Sequence, residues 1–435
     1  MKTFRKLAAL TAALVLAMLP LAGCGDSGSE SGGTPVSADG TDREAMIKSE
    51  PSTISFLALD YDESKTDSAY NQAIAQFKEK YGKDVKIIQA GADQKVMDKV
   101  AANIAAKDPI DVFVMITEQY LNMFHQDYLL PVDDYVTAPA EGDDRTVMDN
   151  FLKFDGKYYG YGGGINPYVL YYNKDLLIAN GYSEDYPKEQ YEAGNWTWDT
   201  FRELARACTD ADSGIMGLEN MYDEVFQASN GTSAVSVGED ARYSLNIKNP
   251  AMRESLEFVM DIFKTNPICG NGYLTGQAKF LTGKAVMHGA FNYEEKVFNG
   301  YKADGTIKFD FGVTAFPTGP SNTEKKNYAH TSAYGISVGS KAPYSAGAFI
   351  EILAEVRNTQ AETDKAGLME GSNELYTSLA KNILIPAYTD GVLENGIGAF
   401  YLMYSARQGE DISTSLDSYQ TTYQKMIDDA NKRIG

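Results

Sequence analysis

Cysteine, histidine and tryptophan are scarce in this sequence of 435 residues, which contains three, three and two of them. Three cysteines are too few for a disulfide scaffold. The histidines form no HExxH pattern and the cysteines no CxxC pattern, so the residues offer no recognisable set of zinc ligands. The sequence therefore predicts neither a metal nor a cofactor.

Positive charge is also in short supply. Lysine and arginine total 39 against 60 aspartate and glutamate residues, which gives a formal net charge of −21. Binding to nucleic acid requires a cationic surface that displaces counterions from phosphates, so this class of protein is excluded. Anionic lipid headgroups repel the same surface, so a membrane association must have another origin.

The N-terminal apolar run is too short to span a bilayer. It covers 13 residues, from Leu7 to Leu19, whereas a transmembrane helix needs about 20. Lys2, Arg5 and Lys6 precede it, as in an export signal. The following Leu21-Ala22-Gly23-Cys24 resembles the lipobox of bacterial lipoproteins. Residues 1–23 are thus predicted to be a lipoprotein signal peptide, with Cys24 as the lipidation site.

Residues 24–51 are predicted to be the lipidated cysteine and a flexible tether. The segment after Cys24 is rich in glycine, serine and acidic residues and has no large apolar cluster. A flexible coil of about 26 residues spans roughly 28 Å root-mean-square. Stable anchoring takes two acyl chains, and the lipoprotein resemblance implies at least two on Cys24, palmitate among them.

The exported region begins with alternating strand and helix patterns. Apolar runs at 53–59, 84–89 and 110–116 predict strands, and the helical spacings at 70–81 and 97–104 predict the helices between them. This alternation indicates an α/β lobe with a parallel sheet. Ligands of such sheets bind beyond the carboxyl ends of the strands, which directs attention to Asp60, Tyr61, Asp62 and Glu118.

Two further features concern packing. Four glycines lie between Gly160 and Gly164, and glycine tolerates backbone dihedrals that other residues resist, so unusual dihedrals are expected in this segment. Cys208 lies on an apolar stripe with Phe201, Leu204 and Ala205. A buried free thiol is favoured there, although export leaves a disulfide with Cys269 open.

Several segments, in chain order, resemble one family. They are Asp108-Pro109-Ile110-Asp111-Val112, Leu129 to Asp133, Gly156 to Gly160, Tyr171-Tyr172-Asn173-Lys174-Asp175-Leu176-Leu177, Asn195 to Phe201, Phe280 to Met287, and Phe316-Pro317 with Tyr334 to Val338. This order is similar to the extracellular solute-binding lipoproteins of ABC importers, in the class typified by maltose-binding protein. Phe291-Asn292-Tyr293 replaces the Gly-Pro-Trp often found in the family's sugar site, which argues against a maltodextrin-type ligand.

The resemblance implies an α/β, two-lobed periplasmic-binding-protein-like fold of type II, with hinged lobes around a ligand cleft. Lobe one is expected to comprise residues 52–164 plus 288–330, and lobe two residues 165–287 plus 331–435. The implied function is capture of a sugar or small oligosaccharide by lobe closure and its delivery to the transmembrane subunits of an ABC permease. The protein is expected to be a monomer, held by its lipid on the outer face of the cell membrane, of Gram-positive type.

Carboxylates, amides and tyrosines at family positions are the predicted ligand contacts, since they suit sugar hydroxyls and the apolar faces of sugar rings. They are Asp60, Tyr61, Asp62, Glu118, Asn166, Tyr168, Tyr222, Asn292, Tyr293 and Tyr334.

Other functions remain open at this point. One alternative is a binding protein for a non-sugar solute such as a polyol, phosphodiester or peptide, and another is a surface lipoprotein for adhesion or sensing. Catalysis is not expected. Gly335-Ile336-Ser337-Val338-Gly339 matches the GxSxG pattern of hydrolases, but the last histidine, His330, precedes the serine, and Pro343 argues against an immediate helix.

Overall fold

The computed structural model describes residues 40–59, 61–92, 95–137, 143–220, 222–238, 242–270, 276–393 and 398–434. The predictions for residues 1–23, Cys24 and Asp60 lie outside these ranges. The strands are β1 Thr53–Ala58, β2 Asp84–Gln89, β3 Val112–Ile116, β4 Lys153–Phe154, β5 Lys157–Tyr158, β6 Tyr161–Asn173, β7 Met216–Asn220, β8 Val235–Val237, β9 Tyr243–Leu245, β10 Ala285–Phe291, β11 Phe311–Ala315, β12 Asn327–Ile336 and β13 Ile383–Leu384.

The α-helices connect these strands and complete the C-terminal part. They are α1 Gly40–Ser49, α2 Ala69–Tyr81, α3 Lys95–Ala105, α4 Tyr120–His125, α5 Asp143–Phe151, α6 Lys174–Ala179, α7 Tyr186–Glu192, α8 Trp198–Cys208, α9 Val225–Ser229, α10 Pro250–Met260, α11 Gly276–Leu281, α12 Glu294–Ala303, α13 Pro343–Lys365, α14 Ser372–Ala380, α15 Pro386–Asp390, α16 Gly398–Gln408 and α17 Ile412–Ile434. Within the ranges described, no helix combines the length and hydropathy that crossing a bilayer requires.

The strands and helices predicted at the start of the exported region are confirmed. Helix α2 shows why local sequence sufficed there: the Ser68 hydroxyl accepts a hydrogen bond from the Asn71 amide, and Gly82 ends the helix with a φ of 67°. Serine caps and left-handed glycines satisfy the backbone groups that a helix terminus leaves unpaired. The first lobe thus begins as β1-α2-β2-α3-β3.

The main sheet has the strand order β2-β1-β3-β12-β6-β10-β7, with β11 also paired to β6 and β13 to β12. Strands β1, β2 and β3 are mutually parallel, and β12 runs antiparallel to β3. Strand β6 is long enough to serve both halves of the sheet. Its first half pairs with β12, and its second half pairs with β10 and β11.

The side chains of β6 and of β12 pack into one hydrophobic cluster at one end of each strand and into another at the other end. On β6, Ile165 packs in a first cluster with the side chains of β1 and β3, whereas Tyr168 packs in a second with those of α8 and α10. On β12, Tyr328 belongs to the second cluster and Ala329 to the first. The two strands therefore connect two lobes, and the crossing lies at 165–168 and 328–329. This agrees with the predicted two-lobed α/β class.

The lobe boundaries differ from those expected beyond the first crossing. Phe291, Phe298 and Phe311, expected in lobe one, pack in the clusters of the second lobe. Tyr334 and Phe349, expected in lobe two, pack in the cluster of the first. The physical reason is strand pairing: β10 and β11 both pair with the second half of β6, and the return to the first lobe is made by β12.

The end of the predicted tether is structured. Residues 40–49 form α1, whose Ile47 is buried in the core of the first lobe. Arg43 on α1 forms a 2.7 Å ion pair with Glu351. The carboxylate of Glu50 accepts hydrogen bonds from the backbone amides at the start of α13. One apolar side chain and two charged ones therefore attach this segment to the first lobe.

At the first crossing, Gly163 is closely packed. None of the four between residues 160 and 164 has a positive φ, which differs from the expected use of unusual dihedrals. A Cβ atom on Gly163 would lie 3.1 Å from the Ser332 carbonyl oxygen. The ladder also shifts register here, because Thr331 pairs with Ile165 and Ser332 with Gly163. Gly164 is left as the extra residue of a bulge.

The cysteines of the mature region match the favoured interpretation. Cys208 and Cys269 are free and buried. Burial raises the pKa of the Cys208 thiol to about 11, which keeps it protonated and weakly reactive. Both side chains lie in the core of the second lobe.

Candidate functional site

The carboxyl ends of strands from both lobes meet at the crossing. Ile116, the last residue of β3, pairs with Ser332 of β12, next to the crossing segment. Phe291, the last residue of β10, pairs with Tyr168 of β6, and β7 runs parallel to β10. Loops that follow β3, β7 and β10 are therefore brought toward the same place, as expected for ligand sites in α/β sheets.

A groove of about 870 Å³ lies along the crossing. Its residues come from the crossing part of β6, from the loop after β10 and from the helices α12, α13 and α14. They are Tyr161, Gly164, Ile165, Asn166, Asn292, Tyr293, Lys296, Glu351, Ala354, Glu355, Asn358, Thr359, Ala361, Glu362, Asp364, Lys365, Leu368, Asn373, Tyr376 and Thr377. Its volume suits a small polar solute.

Three of the predicted contacts line this groove: Asn166, Asn292 and Tyr293. The backbone amide of Asn292 donates to the Pro167 carbonyl at 2.9 Å. Its side-chain Oδ1 is buried and has no hydrogen-bond partner among the residues described. Such an orphaned acceptor costs free energy unless a ligand or water donates to it. Asn292 thus offers an oriented acceptor at the groove.

Four rings form an aromatic cluster beside the groove: Tyr222, Phe291, Tyr293 and His330. The His330 ring stacks on Phe291 with centroids 4.5 Å apart, and Tyr293 stacks on Phe291 at 5.7 Å. Tyr222 lies 5.9 Å from His330. Tyr293 is 50% exposed, so part of its ring is available to a ligand. Its pKa is raised to about 12, first by burial and then by Tyr222 and Glu294, and its hydroxyl stays protonated.

Glu118 and Glu224 place carboxylates on opposite lobes. Glu118 follows β3 in a 3-10 turn, Thr117–Gln119, which is fixed by a 2.7 Å hydrogen bond from the Thr117 hydroxyl to the Thr331 carbonyl. Glu224 follows β7 and precedes α9. Burial raises the pKa of Glu224 to about 7, with further contributions from the negative charges of Asp223 and Glu118.

The loop after β1 holds Tyr61 and Asp62. Tyr61 packs partly buried against the core of the first lobe, and burial is the main cause that raises its pKa. Asp62 Oδ1 accepts hydrogen bonds from the amide and hydroxyl of Ser64, which lower its pKa. Among the residues described, Tyr61, Asp62, Glu118 and Tyr222 are not part of the groove lining.

Tyr168 and Tyr334 lie in the core. Tyr168 is 1% exposed, and its hydroxyl donates to the Gly289 carbonyl at 2.7 Å. Tyr334 is fully buried, with its ring 6.3 Å from that of Phe56 and 5.2 Å from the Arg357 guanidinium. Both side chains support the crossing strands in this arrangement of the lobes and are not presented to the groove.

Three features near the crossing were not predicted from the sequence. They are the carboxylate of Glu224, the position of the His330 ring in the aromatic cluster, and the wall of the groove that α13 forms. Glu224 stands two residues after Tyr222 at the end of β7, so the strand-end rule applied to β7 would have found it. His330 pairs with Asn166 across the ladder, which the sequence does not reveal. The α13 wall arises from packing between distant segments, and no local pattern marks it.

Comparisons with known proteins agree with this geometry. Residues 72–369 match the family described as bacterial extracellular solute-binding protein. Three solved structures share the fold. An ABC substrate-binding protein of Listeria monocytogenes in complex with cycloalternan has 18% identity, covers 88% of this chain and 99% of its own, and gives a TM-score of 0.66. The GacH receptor of Streptomyces glaucescens was solved unliganded and with acarbose. It has 17% identity, covers 87% of this chain and 98% of its own, and gives a TM-score of 0.66.

The third structure, UgpB of Mycobacterium tuberculosis, was solved with glycerophosphocholine. It has 18% identity, covers 86% of this chain and 98% of its own, and gives a TM-score of 0.67. At these identities the likeness concerns the fold. The family match covers well over half of the sequence, from within α2 to a few residues after the end of α13. The chain belongs to the bacterial extracellular solute-binding proteins and has their two-lobed type II fold.

Proposed function

We propose that this protein captures a sugar or small oligosaccharide in the groove at the crossing and delivers it to the permease of an ABC importer. The observation that carries the proposal is the combination, in one groove between lobes, of a half-exposed aromatic ring, Tyr293, with an orphaned buried acceptor, Asn292 Oδ1. Rings that cover the apolar faces of a sugar, together with acceptors for its hydroxyls, are suited to carbohydrate. Two structural neighbours were solved with carbohydrate-like ligands, cycloalternan and acarbose.

Closure of the lobes is the proposed working step. The ligand shifts an open–closed equilibrium because it contacts both lobes only in the closed state. A shift from 1:99 to 99:1 requires about 5.5 kcal/mol of differential binding. Aromatic contacts of roughly 0.5–1.5 kcal/mol each and charge-assisted hydrogen bonds of roughly 1.5–3 kcal/mol each are together sufficient. The ligand is bound and released without a chemical step.

The lipid on Cys24 is proposed to hold the protein at the outer face of the membrane, where the permease opens. The segment between Cys24 and α1 comprises 15 residues. It allows a monomeric body to reach the permease while the acyl chains remain in the bilayer. The negative surface, repelled by anionic headgroups, keeps this body off the membrane.

Mass spectrometry of small molecules released by unfolding the purified protein is the first experiment. Calorimetric titration with a panel of neutral sugars, alongside polyols, phosphodiesters and short peptides, then measures affinity. Small-angle scattering with and without the bound solute measures closure. A sugar that binds and reduces the radius of gyration supports the proposal. If only another class of solute binds, the ligand is that solute and not a sugar. If no solute binds and the lobes do not close, adhesion or sensing is the favoured function.

A further inference from the structure

A second groove, of about 630 Å³, lies in the second lobe. Residues of α7 and of the start of α14 border it, together with residues 369–371, and four consecutive residues of β11, Phe311 to Thr314, form its floor. None of its lining residues lines the groove at the crossing. We call this second site the edge groove, because its floor is the edge of a strand.

Strand β11 is the outermost strand at the edge groove. It pairs with β6 from Phe311 to Ala315 and has no second partner strand among the residues described. Successive side chains of a strand point to opposite faces. A groove lined by each residue from Phe311 to Thr314 in turn therefore meets the strand along its edge, where main-chain groups have no neighbouring strand to pair with.

The strand register shows which main-chain groups point outward. Phe311 is opposite Asn173, so the preceding residue, Asp310, is opposite Lys174. The Lys174 amide donates to the Asp310 carbonyl at 2.8 Å, which shows that the main chain of Asp310 faces β6. In an antiparallel pair, residues that face the partner strand alternate with residues that face away from it. The main-chain groups of Phe311 and of every second residue after it therefore face away from β6.

Several polar groups of β11 lack a partner at this edge. The Ala315 carbonyl accepts a hydrogen bond from Trp196 Nε1 at 3.0 Å, but the outward groups of Phe311 and Val313 form none within the part of the chain described. Thr314 is 1% exposed, and its Oγ1 has no partner there either. Two amides and two carbonyls thus lie unpaired along about 10 Å of edge, at about 3.4 Å per residue. Unpaired buried groups cost free energy, and an added strand would satisfy them.

The lining of the edge groove carries an excess of negative charge. Its ionisable residues are Lys174 and Lys188 against Asp185, Glu192, Glu370 and Glu374. Lys174 pairs with Asp185 at 2.9 Å, whereas the three glutamates form no ion pair with a residue that the structure describes. Glu192 on α7 and Glu374 on α14 are both exposed. Carboxylates are therefore available to a ligand on both of the bordering helices.

We propose that the edge groove binds an extended peptide segment of a partner protein, which pairs with β11 as an added strand and places lysine or arginine side chains beside Glu192 and Glu374. Strand addition of this kind uses main-chain hydrogen bonds for affinity and side-chain contacts for specificity. A second copy of this chain would bring an equally negative groove against the first, and like charges repel. The site is separate from the groove at the crossing and goes beyond the proposed function.

Fluorescence anisotropy of labelled hexapeptides tests the backbone and the charge separately. The probe is acetyl-Lys-Val-Lys-Lys-Val-Lys-amide, whose lysines lie on both faces of an extended strand. One control replaces every lysine by glutamate, and the other keeps the lysines but is N-methylated at every residue, which removes the main-chain donors. The probe is expected to bind at least tenfold more tightly than either control. Equal binding of the N-methylated peptide, or no binding of the probe, overturns the inference.

Variants of the full chain locate the site. Val313→Pro removes an outward amide hydrogen and keeps the pairing with β6, since proline is tolerated where the N–H faces away from the sheet. It should weaken binding of the lysine peptide at least tenfold. Glu192→Lys combined with Glu374→Lys should do the same and tests the site even if Val313→Pro lowers the melting temperature. The control, Glu79→Lys combined with Glu203→Lys at exposed positions of α2 and α8, changes the net charge equally and should leave binding unchanged.

Two results with these variants would overturn the inference. Equal weakening by the control pair would show that net charge alone attracts the peptide. A dimer of the unmodified protein in sedimentation velocity that Val313→Pro separates would assign the edge to a second copy of the chain. Either result would leave the proposed function intact, because the edge groove and the groove at the crossing share no lining residue.

Discussion

Arg407 and Asp223 form a buried ion pair, with Arg407 Nη1 2.9 Å from Asp223 Oδ2 and both side chains at most 5% exposed. The pair joins α16 to the loop after β7, where Tyr222 and Glu224 flank Asp223. The guanidinium also lies 4.3 Å from the Phe263 ring. One ion pair thus fixes the loop that presents two of the groups at the crossing.

Replacing Arg407 by alanine is expected to lower the free energy of unfolding by about 3–5 kcal/mol, because it leaves a buried charge without its partner. Guanidinium-induced unfolding measures this. The control is Lys248→Ala, which removes a solvent-exposed pair with Asp417 and should cost less than about 1 kcal/mol. Equal effects of the two substitutions would show that the buried pair has no special role.

Tyr293→Ala is expected to weaken ligand affinity at least tenfold with little change in melting temperature. The ring is half exposed at the groove, so its loss removes ligand contact and little core packing. Titration calorimetry and thermal unfolding measure the two quantities. Ile178→Ala, at a 56% exposed position on α6, is the control. Unchanged affinity would remove Tyr293 from the site.

The buried carboxyl group of Asp390 is expected to make the folded protein less stable as the pH rises. It is 1% exposed and accepts hydrogen bonds from the Val235 amide and the Gln227 side chain. Burial raises its pKa to about 8, and the negative charge of Glu224 contributes in the same direction. Between pH 4 and 8 the folded state therefore holds a proton that the unfolded state has lost, and the free energy of unfolding falls as the pH rises.

Asp390→Asn should accordingly stabilise the protein at pH 8 by at least about 1 kcal/mol, since each pKa unit corresponds to about 1.4 kcal/mol. The gain should shrink toward pH 5. Burial also raises the pKa of Glu224, to about 7, and this likewise lowers the free energy of unfolding as the pH rises. The Asp390→Asn variant therefore keeps part of the pH dependence. Chemical unfolding across this range measures the effect, with the exposed Asp212→Asn as control. A gain independent of pH would contradict the titration of Asp390.

Cys24→Ser is expected to release the protein from the membrane into the aqueous phase of a detergent partition. Serine provides no thiol for lipid attachment, and the negative surface gives no attraction to anionic lipid. Ser27→Ala in the same segment is the control. Mass spectrometry of the unmodified protein should find an acylated N-terminal Cys24. A Cys24→Ser protein that stays with the membrane would contradict lipid anchoring.

Local signals predicted much of the first lobe. The buried strands and the capped helix α2 follow from short-range patterns that the structure confirms. The pairing of β10 was not predictable, because the apolar run Ala285–Phe291 fits a buried strand in either lobe. Its partner, β6, lies more than 100 residues earlier in the chain, and no local residue specifies that choice.

The site was predictable in part for a related reason. Asn292 and Tyr293 come directly after a strand end, where ligands of α/β sheets are expected, and both line the groove. Tyr168 and Tyr334 lie inside strands, where successive side chains point to opposite faces. A tyrosine that donates to a backbone carbonyl and one that lines the groove have the same sequence signature, so their positions could not be told apart without the sheet.

The bulge at Gly164 has a mechanical consequence. The proposed lobe closure would twist β6 and β12 against each other, and a continuous ladder resists such a twist through every hydrogen bond. The register shift between Thr331 and Ser332 interrupts the ladder at the first-lobe edge of the span that joins the lobes. In the proposed closure, torsion is expected to concentrate at this interruption. A ligand that acts by this closure would select between two orientations of the lobes and would have few other degrees of freedom to order.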